Sequence, residues 1–308
     1  MNDTAKGVFR DAFGFDPRVR YYAPGQITLA RDQTAALLCG IDRGIVCAAS
    51  ARSDGMLRIV TESGIAAYHI DDTAYHGDWT DAVRRAAAAL RHAGYPLTGA
   101  DMAFSSKLPR DEGVGYTAAL VTAAGGALRA LYGLVPLSDE ELVRLLSYSG
   151  DHRAIHSCMM ARKNTAMLQS AHGCAYLPLA SDRAAIVLLC TAFNGAADLA
   201  DGDRLCTAAR VLKDGDYPAL GALMRATHRA TQGPILRELN LLTEAAWATK
   251  GVYGARAIGG CTLNLVEPLY LNLFVKRMAD FYEDMWDRQP RLMVVRPSDG
   301  AHRLNDNG

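Results

Sequence analysis

The sequence lacks the features that would suit it to a membrane or a nucleic acid. No apolar run approaches the roughly 20 residues that a membrane-spanning helix needs. Neither sign of charge is in excess, because 33 Lys and Arg residues balance 33 Asp and Glu residues. A balanced chain has no basic surface that would attract a nucleic acid or an anionic bilayer. The expected partner is therefore a small molecule.

Cysteine clusters and targeting segments are lacking as well. The seven cysteines are scattered and odd in number, and none has the spacing of a CxxC pair or of zinc ligands. We interpret them as reduced, buried side chains and expect neither a disulfide framework nor a metal site. The first residues are polar and contain no hydrophobic signal core. These features predict a cytoplasmic protein, and they indicate no oligomeric state.

What the chain does have is an alternation of strand-like and helix-like segments, which predicts an α+β fold. Its 308 residues, 50% of them hydrophobic, are enough for two lobes. Runs rich in β-branched residues at 19–29, 45–49 and 57–61 predict an early sheet. A short strand at 102–106 leads through a loop into a strong helix over 117–132.

Capping signals predict further helices on either side of this unit. One begins near Asp78 and ends before Gly94, and Ser138 with Glu141 forms a capping box for the next. A further helical pattern covers roughly 158–171.

The second half repeats the mixture of strands and helices. With no low-complexity linker, we expect an N-terminal lobe at 1–178 and a C-terminal lobe at 179–308 that pack as one compact unit. The predicted strands of the C-terminal lobe are 184–190, 261–266 and 291–296, and its predicted helices are 203–211, 217–229, 235–249 and 271–286.

Short strings along nearly the whole chain occur in the order and spacing of a known family. They include Ala-Pro-Gly at 23–25, Gly-Ile-Asp-Arg-Gly at 40–44, Gly-Ala-Asp at 99–101, Gly-Asp-Tyr at 215–217 and Gly-Cys-Thr at 260–262. Each string alone is weak, but together they make the sequence resemble the galactokinases of the GHMP kinase superfamily. The resemblance implies two α+β lobes with the active site in the cleft between them.

The segment that binds the sugar in that family is altered here. In galactokinases the Ala-Pro-Gly signature leads to acidic and imidazole groups that hold the sugar hydroxyls. This chain continues with Arg31, Asp32 and Gln33 and is several residues short. By the resemblance, Asp32 stands in for a family Glu as a catalytic candidate, and Arg31 and Gln33 are substrate-binding candidates. The alternative is that Arg31 and Asp32 pair with each other at the surface.

The family's phosphate loop corresponds to residues 109–118 of this chain. Asp111 replaces its first glycine and Glu112 follows, and two carboxylates would repel a polyphosphate. They are either turn residues or a new acid/base pair, with Asp111 the catalytic candidate. Tyr116 adds bulk and would fill vacated nucleotide space, whereas Thr117 keeps a hydroxyl. The binding candidates of this loop are Gly113, Gly115, Tyr116 and Thr117.

Lys163 falls where the resemblance places the family's catalytic Asp, with Asn164 at the following Gln. An ammonium is no general base unless it is strongly desolvated, but it can act as an electrophile, an imine-forming amine or an anion anchor. His156 and Arg162 belong to the same locally basic stretch, which is either a charged helix end or a pocket for an anion. A helix that continued through this stretch would put His156 and Lys163 on one face.

The last glycine-rich motif of the family closes over the phosphates. Here it is cut to Gly259 and Gly260, and the segment at 230–235 is shortened too. With the sugar segment, three active-site loops are reduced while the scaffold strings persist. We therefore interpret the kinase motifs as degenerate.

Three functions of different classes remain open. The first is a repurposed biosynthetic enzyme for a small anionic or sugar-like metabolite, with Lys163 in place of the family's Asp. The second is a non-catalytic pseudokinase that senses a small ligand and binds a protein partner, and the third is an ATP-dependent sugar kinase with divergent motifs. No cofactor is expected in the first two, and ATP with Mg²⁺ only in the third. The catalytic candidates are Lys163, His156, Asp32 and Asp111.

Overall fold

The computed structural model describes residues 4–62, 64–110, 113–149, 151–191, 204–230 and 237–305. These residues form two sheets, each covered by helices. No helix within those ranges is both long enough and apolar enough to cross a membrane.

The larger sheet is built around β2, whose 16 residues pair with β1 along one side. On its other side the first part of β2 pairs with β6 and the last part with β5, so one long strand serves both branches. The order is β12-β1-β2-β5-β3-β4, with β7 beyond β6. The strands are β1 Val19–Arg31, β2 Ala36–Ala51, β3 Met56–Thr61, β4 Gly64–His69, β5 Ala100–Ser106, β6 Thr165–Ser170, β7 Gly173–Pro178 and β12 His302–Arg303.

The smaller sheet is antiparallel, in the order β11-β8-β10-β9. Its strands are β8 Ala185–Cys190, β9 Val252–Ile258, β10 Cys261–Val266 and β11 Arg291–Val295. The expected boundary between the lobes falls between β7 and β8. The chain then returns to the larger sheet, because β12 pairs with β1.

The helix α3 is the most deeply buried helix of the N-terminal half, and it lies against β1 and β2. Gly126 allows this contact, since a Cβ there would lie 2.2 Å from the Tyr21 ring. The described helices are α1 Thr4–Phe13, α2 Asp81–His92, α3 Tyr116–Leu131, α4 Asp139–Leu146, α5 His152–Met160, α6 Arg204–Lys213, α7 Tyr217–Ala230, α8 Arg237–Trp247 and α9 Leu271–Trp286.

The α+β class and most long elements agree with the sequence prediction. The three early strands, the helix over 117–132 and the final helix are all present. The capping box is present too, because the Ser138 hydroxyl accepts a hydrogen bond from the Glu141 amide at 3.2 Å.

The helix predicted over 158–171 is wrong. The helix α5 ends at Met160, Ala161 is extended, and Asn164 has a φ of 59° in the left-handed region. Residues 165–170 then form β6, which pairs with β2 and β7. Pairing with β2, which is distant in sequence, and with β7, which follows directly, outweighs the local helical pattern.

The interpretation of the cysteines also needs correction. Cys190 and Cys261 form a disulfide between β8 and β10, and Cys174 and Cys206 are exposed. The bonded pair is 71 residues apart in sequence but directly opposite in the sheet, with 4.1 Å between the Cα atoms. Adjacent strands create such a pair without any spacing motif. Cys39, Cys47 and Cys158 are buried and free, as expected.

Candidate functional site

The turn between β1 and β2 holds the first group of candidates. The Asp32 carboxylate accepts hydrogen bonds from the Thr34 amide at 2.6 Å, the Thr34 hydroxyl at 2.9 Å and the Ala35 amide at 2.7 Å. Those bonds lower the pKa of Asp32. The Gln33 carbonyl accepts a bond from the Arg153 guanidinium at 3.1 Å. Asp32 therefore closes its own turn, in the manner of an Asx turn.

Arg31, at the end of β1, is half-buried.

The loop that corresponds to the family's phosphate loop is packed from below. Leu108 and Val114 are buried, and the Gln26 amide donates to the Val114 carbonyl at 3.0 Å. Gly115, with a φ of 72°, lies against the Gln26 side chain, where a Cβ would be 2.8 Å from Cγ. Asp111 and Glu112 lie outside the described residues.

The same loop touches the shortened glycine motif. Gly113 has a φ of 77°, and a Cβ on it would lie 2.9 Å from the Gly259 Cα and 2.9 Å from the Ile258 carbonyl oxygen. Gly259 turns the chain between β9 and β10, and the Gly260 carbonyl accepts from the Thr191 amide at 3.0 Å. At Gly113 and Gly259 the two backbones therefore lie close together, without space for even a Cβ between them.

Lys163 lies in the turn between α5 and β6, with exposed Arg162 and Asn164 on either side. Its amide donates to the Asp299 carboxylate at 3.0 Å, and the Arg162 guanidinium lies 3.9 Å from the centre of the Tyr176 ring. Among the described residues, no carboxylate lies within ion-pairing distance of the Lys163 ammonium. This exposed ammonium is available to an anion but is not desolvated.

His156 faces a different environment. Its buried ring places Nε2 3.5 Å from the Glu140 carboxylate and Nδ1 4.0 Å from the Cys174 sulfur, with the His152 ring stacked at 5.9 Å. Burial lowers the pKa of His156, although Glu140 acts in the opposite direction. Because α5 ends at Met160, the expected shared helical face with Lys163 does not exist.

Glu140 and Cys174 were not found from the sequence. They lie on α4 and β7, and only the pairing of β7 with β6 brings Cys174 near α5. No local signal links these positions.

A cavity of about 510 Å³ opens at the N-terminus of α3. Tyr116 and Thr117 line it from the first turn of α3, where no side chain caps the helix. The unpaired amides and the helix dipole at such an end favour an anion. Two aromatic and two basic side chains also line the cavity: Tyr75, Trp79, Arg85 and Arg110. We call this space the α3 cavity.

Two carboxylates also border the α3 cavity, but both are engaged by the protein. Asp78 accepts from the Thr80 amide at 2.8 Å and from its hydroxyl at 2.5 Å. Asp81 accepts from the Gly77 amide at 2.8 Å and forms an ion pair with Arg84.

The guanidinium groups of the α3 cavity lie over aromatic rings. The Arg85 guanidinium is 5.0 Å from the Tyr75 ring centre, and that of Arg110 is 5.7 Å from the Tyr116 ring centre. The Arg85 guanidinium and the N-terminus of α3 bring positive charge to the cavity, which favours an anion. Sequence reasoning found Tyr116 and Thr117 but missed Tyr75 and Trp79, because no motif links them to α3.

No cluster of three His, Cys, Asp or Glu side chains suited to a metal ion occurs in the described part of the chain. Of the candidates that the structure describes, only Tyr116 and Thr117 line the α3 cavity. The structure thus distributes the described candidates over five places: the β1–β2 turn, the contact of the glycine loops, the α3 cavity, the surroundings of His156 and the turn at Lys163.

Comparison with known sequences identifies relatives over nearly the full length. Residues 81–160 match the family of GHMP kinases N terminal domains. The chain is 26% identical to the galactokinase of Roseiflexus sp. (strain RS-1), covering 97% of this chain and 96% of the relative. It is 22% identical to the galactokinase of Bacillus subtilis (strain 168), covering 99% of both. The first alignment spans 383 positions against 308 residues here, so the relative has segments without a counterpart in this chain.

Solved structures show the same fold. The Lactococcus lactis galactokinase complexed with galactose matches with a TM-score of 0.85 at 19% identity, covering 98% of this chain and 99% of that one. The Methanococcus jannaschii mevalonate kinase matches with a TM-score of 0.68 at 13% identity, covering 92% and 100%. The predicted α+β, GHMP kinase-like fold is confirmed, and the chain is similar to galactokinases over nearly its full length.

Proposed function

We propose that this galactokinase-like chain has given up ATP-dependent sugar phosphorylation and binds a small anionic ligand in the α3 cavity. The observation that carries the proposal is the backbone contact between Gly113 and Gly259. The family's corresponding segments hold the phosphates of ATP, and here they touch. The residues present do not fit a polyphosphate at this point.

The position of the family's catalytic carboxylate supports the same proposal. Lys163 stands there, exposed and without a carboxylate partner among the described residues. A charged, hydrated ammonium does not accept a proton from a sugar hydroxyl. Asp32, the other candidate, is engaged by three hydrogen bonds within its own turn.

The chemistry of the α3 cavity suggests the class of ligand. Arg85 and Arg110 supply positive charge, Tyr75 and Trp79 supply flat apolar faces, and the start of α3 favours an anion. A volume of about 510 Å³ suits a molecule the size of a sugar phosphate or a nucleoside monophosphate. The galactose in the Lactococcus lactis structure makes a phosphorylated sugar the first ligand to test.

The first experiment measures phosphoryl transfer. The purified chain is incubated with galactose, ATP and Mg²⁺, and galactose 1-phosphate is followed by ³¹P NMR. We expect no product above the protein-free background. Enzyme-dependent formation of galactose 1-phosphate would overturn the loss of kinase activity.

The second experiment measures binding by thermal shift. Galactose 1-phosphate and AMP are compared with galactose and adenosine, which lack the phosphate. A ligand at 100 times its Kd stabilises the native state by about 2.7 kcal/mol. We expect stabilisation by a phosphorylated ligand only, abolished in Arg110→Glu and retained in Arg210→Glu, an exposed position in the other lobe. Equal stabilisation by the neutral ligands, or none by any, contradicts the proposed ligand class.

A second candidate function is an enzyme that uses Lys163 as an anion anchor or imine-forming amine. The exposed ammonium without a carboxylate partner is the observation that favours it. In this case, Lys163→Ala abolishes turnover of the identified ligand while the melting temperature stays unchanged. Unchanged turnover in Lys163→Ala leaves the binding function alone.

A further inference from the structure

We propose a second small-molecule site in a groove between α2 and α4, which takes a carboxylate with an apolar body. The groove has a volume of about 520 Å³, within the range of small-molecule pockets. It adjoins the α3 cavity but faces the other side of Arg85, which lines both. We call it the α2–α4 groove.

The face of α2 that lines the groove has a regular composition. Arg85, Ala88, Ala89 and His92 are spaced i, i+3, i+4 and i+7, so they form one face of the helix. This face is separate from the buried face that packs in the core at Val83, Ala86, Ala87 and Leu90. The α2 helix thus presents two apolar alanines to the groove, with a basic side chain at each end.

The floor of the groove is apolar, and its small side chains leave space for a ligand. Ala88 and Ala89 carry no atoms beyond Cβ, and buried Leu145 of α4 completes the floor. Tyr148 stands at the rim with 83% of its surface exposed, which is high for an aromatic side chain that lines a groove. An apolar ligand body would cover both the floor and this ring and remove their apolar surface from water.

Every charged side chain among the described lining residues is basic or carries an imidazole: Arg85, His92 and Arg144. Arg144 has one ion-pair partner in the described structure, Glu141 at 3.7 Å on the same exposed turn. Such an exposed pair contributes little, so the Arg144 guanidinium is available to a ligand. A guanidinium binds a carboxylate in a bidentate geometry, so we expect the ligand of this groove to carry a carboxylate.

The test compares two probes with the same apolar body. Isothermal titration of the full chain uses 1-naphthoate, which carries a carboxylate, and 1-naphthylmethanol, which does not. We expect 1-naphthoate to bind at least tenfold more tightly. Equal affinity of the two probes, or no binding of 1-naphthoate, overturns the proposal.

Three variants locate the bound probe. Arg144→Glu should weaken 1-naphthoate at least tenfold, and Ala89→Trp should abolish binding by filling the floor. Arg210→Glu is the matched control, because Arg210 is similarly exposed and forms an ion pair with Asp214, four residues further on, at 3.9 Å. It should leave the affinity within twofold of the parent chain. An affinity unchanged in Arg144→Glu overturns the proposal.

A last variant separates this groove from the α3 cavity. Arg110 lines the α3 cavity but not the α2–α4 groove, so Arg110→Glu should leave 1-naphthoate binding intact. Loss in Arg110→Glu with retention in Arg144→Glu would place the probe in the α3 cavity and overturn the second site. Failure of the proposed function leaves this result unaffected, since the groove is tested without ATP or a sugar.

Discussion

Asp101 and Asp32, two carboxylates of the larger sheet, differ in what their hydrogen bonds hold together. Asp101, on β5, is 2% exposed. Its carboxylate accepts hydrogen bonds from the Arg58 guanidinium at 2.5 and 2.8 Å and from the Arg52 guanidinium at 3.2 Å. These partners lie 43 and 49 residues away. Asp32, at the end of β1, is bonded only to residues two and three positions further on. One carboxylate joins three strands, whereas the other shapes a single turn.

The difference explains what the resemblance to galactokinases preserves. Asp101 belongs to a string shared with the family, and its role is to hold β2, β3 and β5 together. Asp32 lies in a segment that is shorter than the family's, and its oxygens are taken by its own turn. The shared Asp101 thus supports the sheet, whereas Asp32 supports only its own turn.

The largest effect is expected from Asp101→Ala. It leaves two guanidiniums without their buried partner, which should reduce the free energy of unfolding by about 3–4 kcal/mol. Urea unfolding followed by circular dichroism measures this loss. The control is Asp54→Ala, which removes an exposed carboxylate from the same Arg52 and should leave the midpoint nearly unchanged. Similar losses in both variants would show that Asp101 does not join the strands.

The next effect tests the closed phosphate space. Gly113→Ala should reduce the free energy of unfolding by about 2–3 kcal/mol, because left-handed strain adds to a clash with Gly259. Gly133→Ala is the control, since its φ is 61° but nothing lies within 4 Å. It should cost only about 1 kcal/mol of strain. Equal costs would mean that the two glycine loops do not touch, and the space for a phosphate would be open.

Much of the scaffold could be predicted from the sequence because its signals are local. The helix α3 follows from its small and apolar residues, and α4 follows from the capping box at Ser138. The resemblance to galactokinases, carried by short strings in order, anticipated the fold that the solved structures share.

The candidate site was less predictable because it depends on contacts distant in sequence. Alignment placed Gly113 and Gly259 in two loops of one site, but only the fold shows that their backbones touch. Lys163 was placed by the resemblance, but the helical face that it was expected to share with His156 fails, because α5 ends at Met160 and β6 pairs with β2. Arg85 and Trp79 had no motif that would link them to α3.

A smaller effect concerns the pH dependence of stability and comes from the buried His156 ring. Burial lowers the pKa of His156 in the folded state below the ordinary 6.5, so protons bind the unfolded chain more readily. The stability contribution is therefore present above pH 6.5 and lost as the pH falls toward the lowered pKa. Facing groups that modulate it are Glu140, His152 and Cys174.

His156→Gln should make the free energy of unfolding less dependent on pH between 7 and 5. The slope is the readout, since the substitution also alters packing at every pH. His228, in the other half, has a pKa lowered by burial as well and should retain its share of the slope. An unchanged slope in His156→Gln would show that His156 is as easily protonated in the folded chain as in the unfolded one.

The smallest effect on stability is expected at Asp32. Asp32→Ala removes the acceptor of three short-range hydrogen bonds in a partly exposed turn, which should cost about 0.5–1 kcal/mol. Asp32→Asn keeps an acceptor oxygen for the Thr34 and Ala35 amides and should recover most of that loss. Once a ligand is identified, both variants should bind it as the parent chain does. If Asp32→Asn keeps its stability but loses ligand turnover, the carboxylate has a catalytic role. The contrast with Asp101 then fails, because Asp32 would do more than shape its own turn.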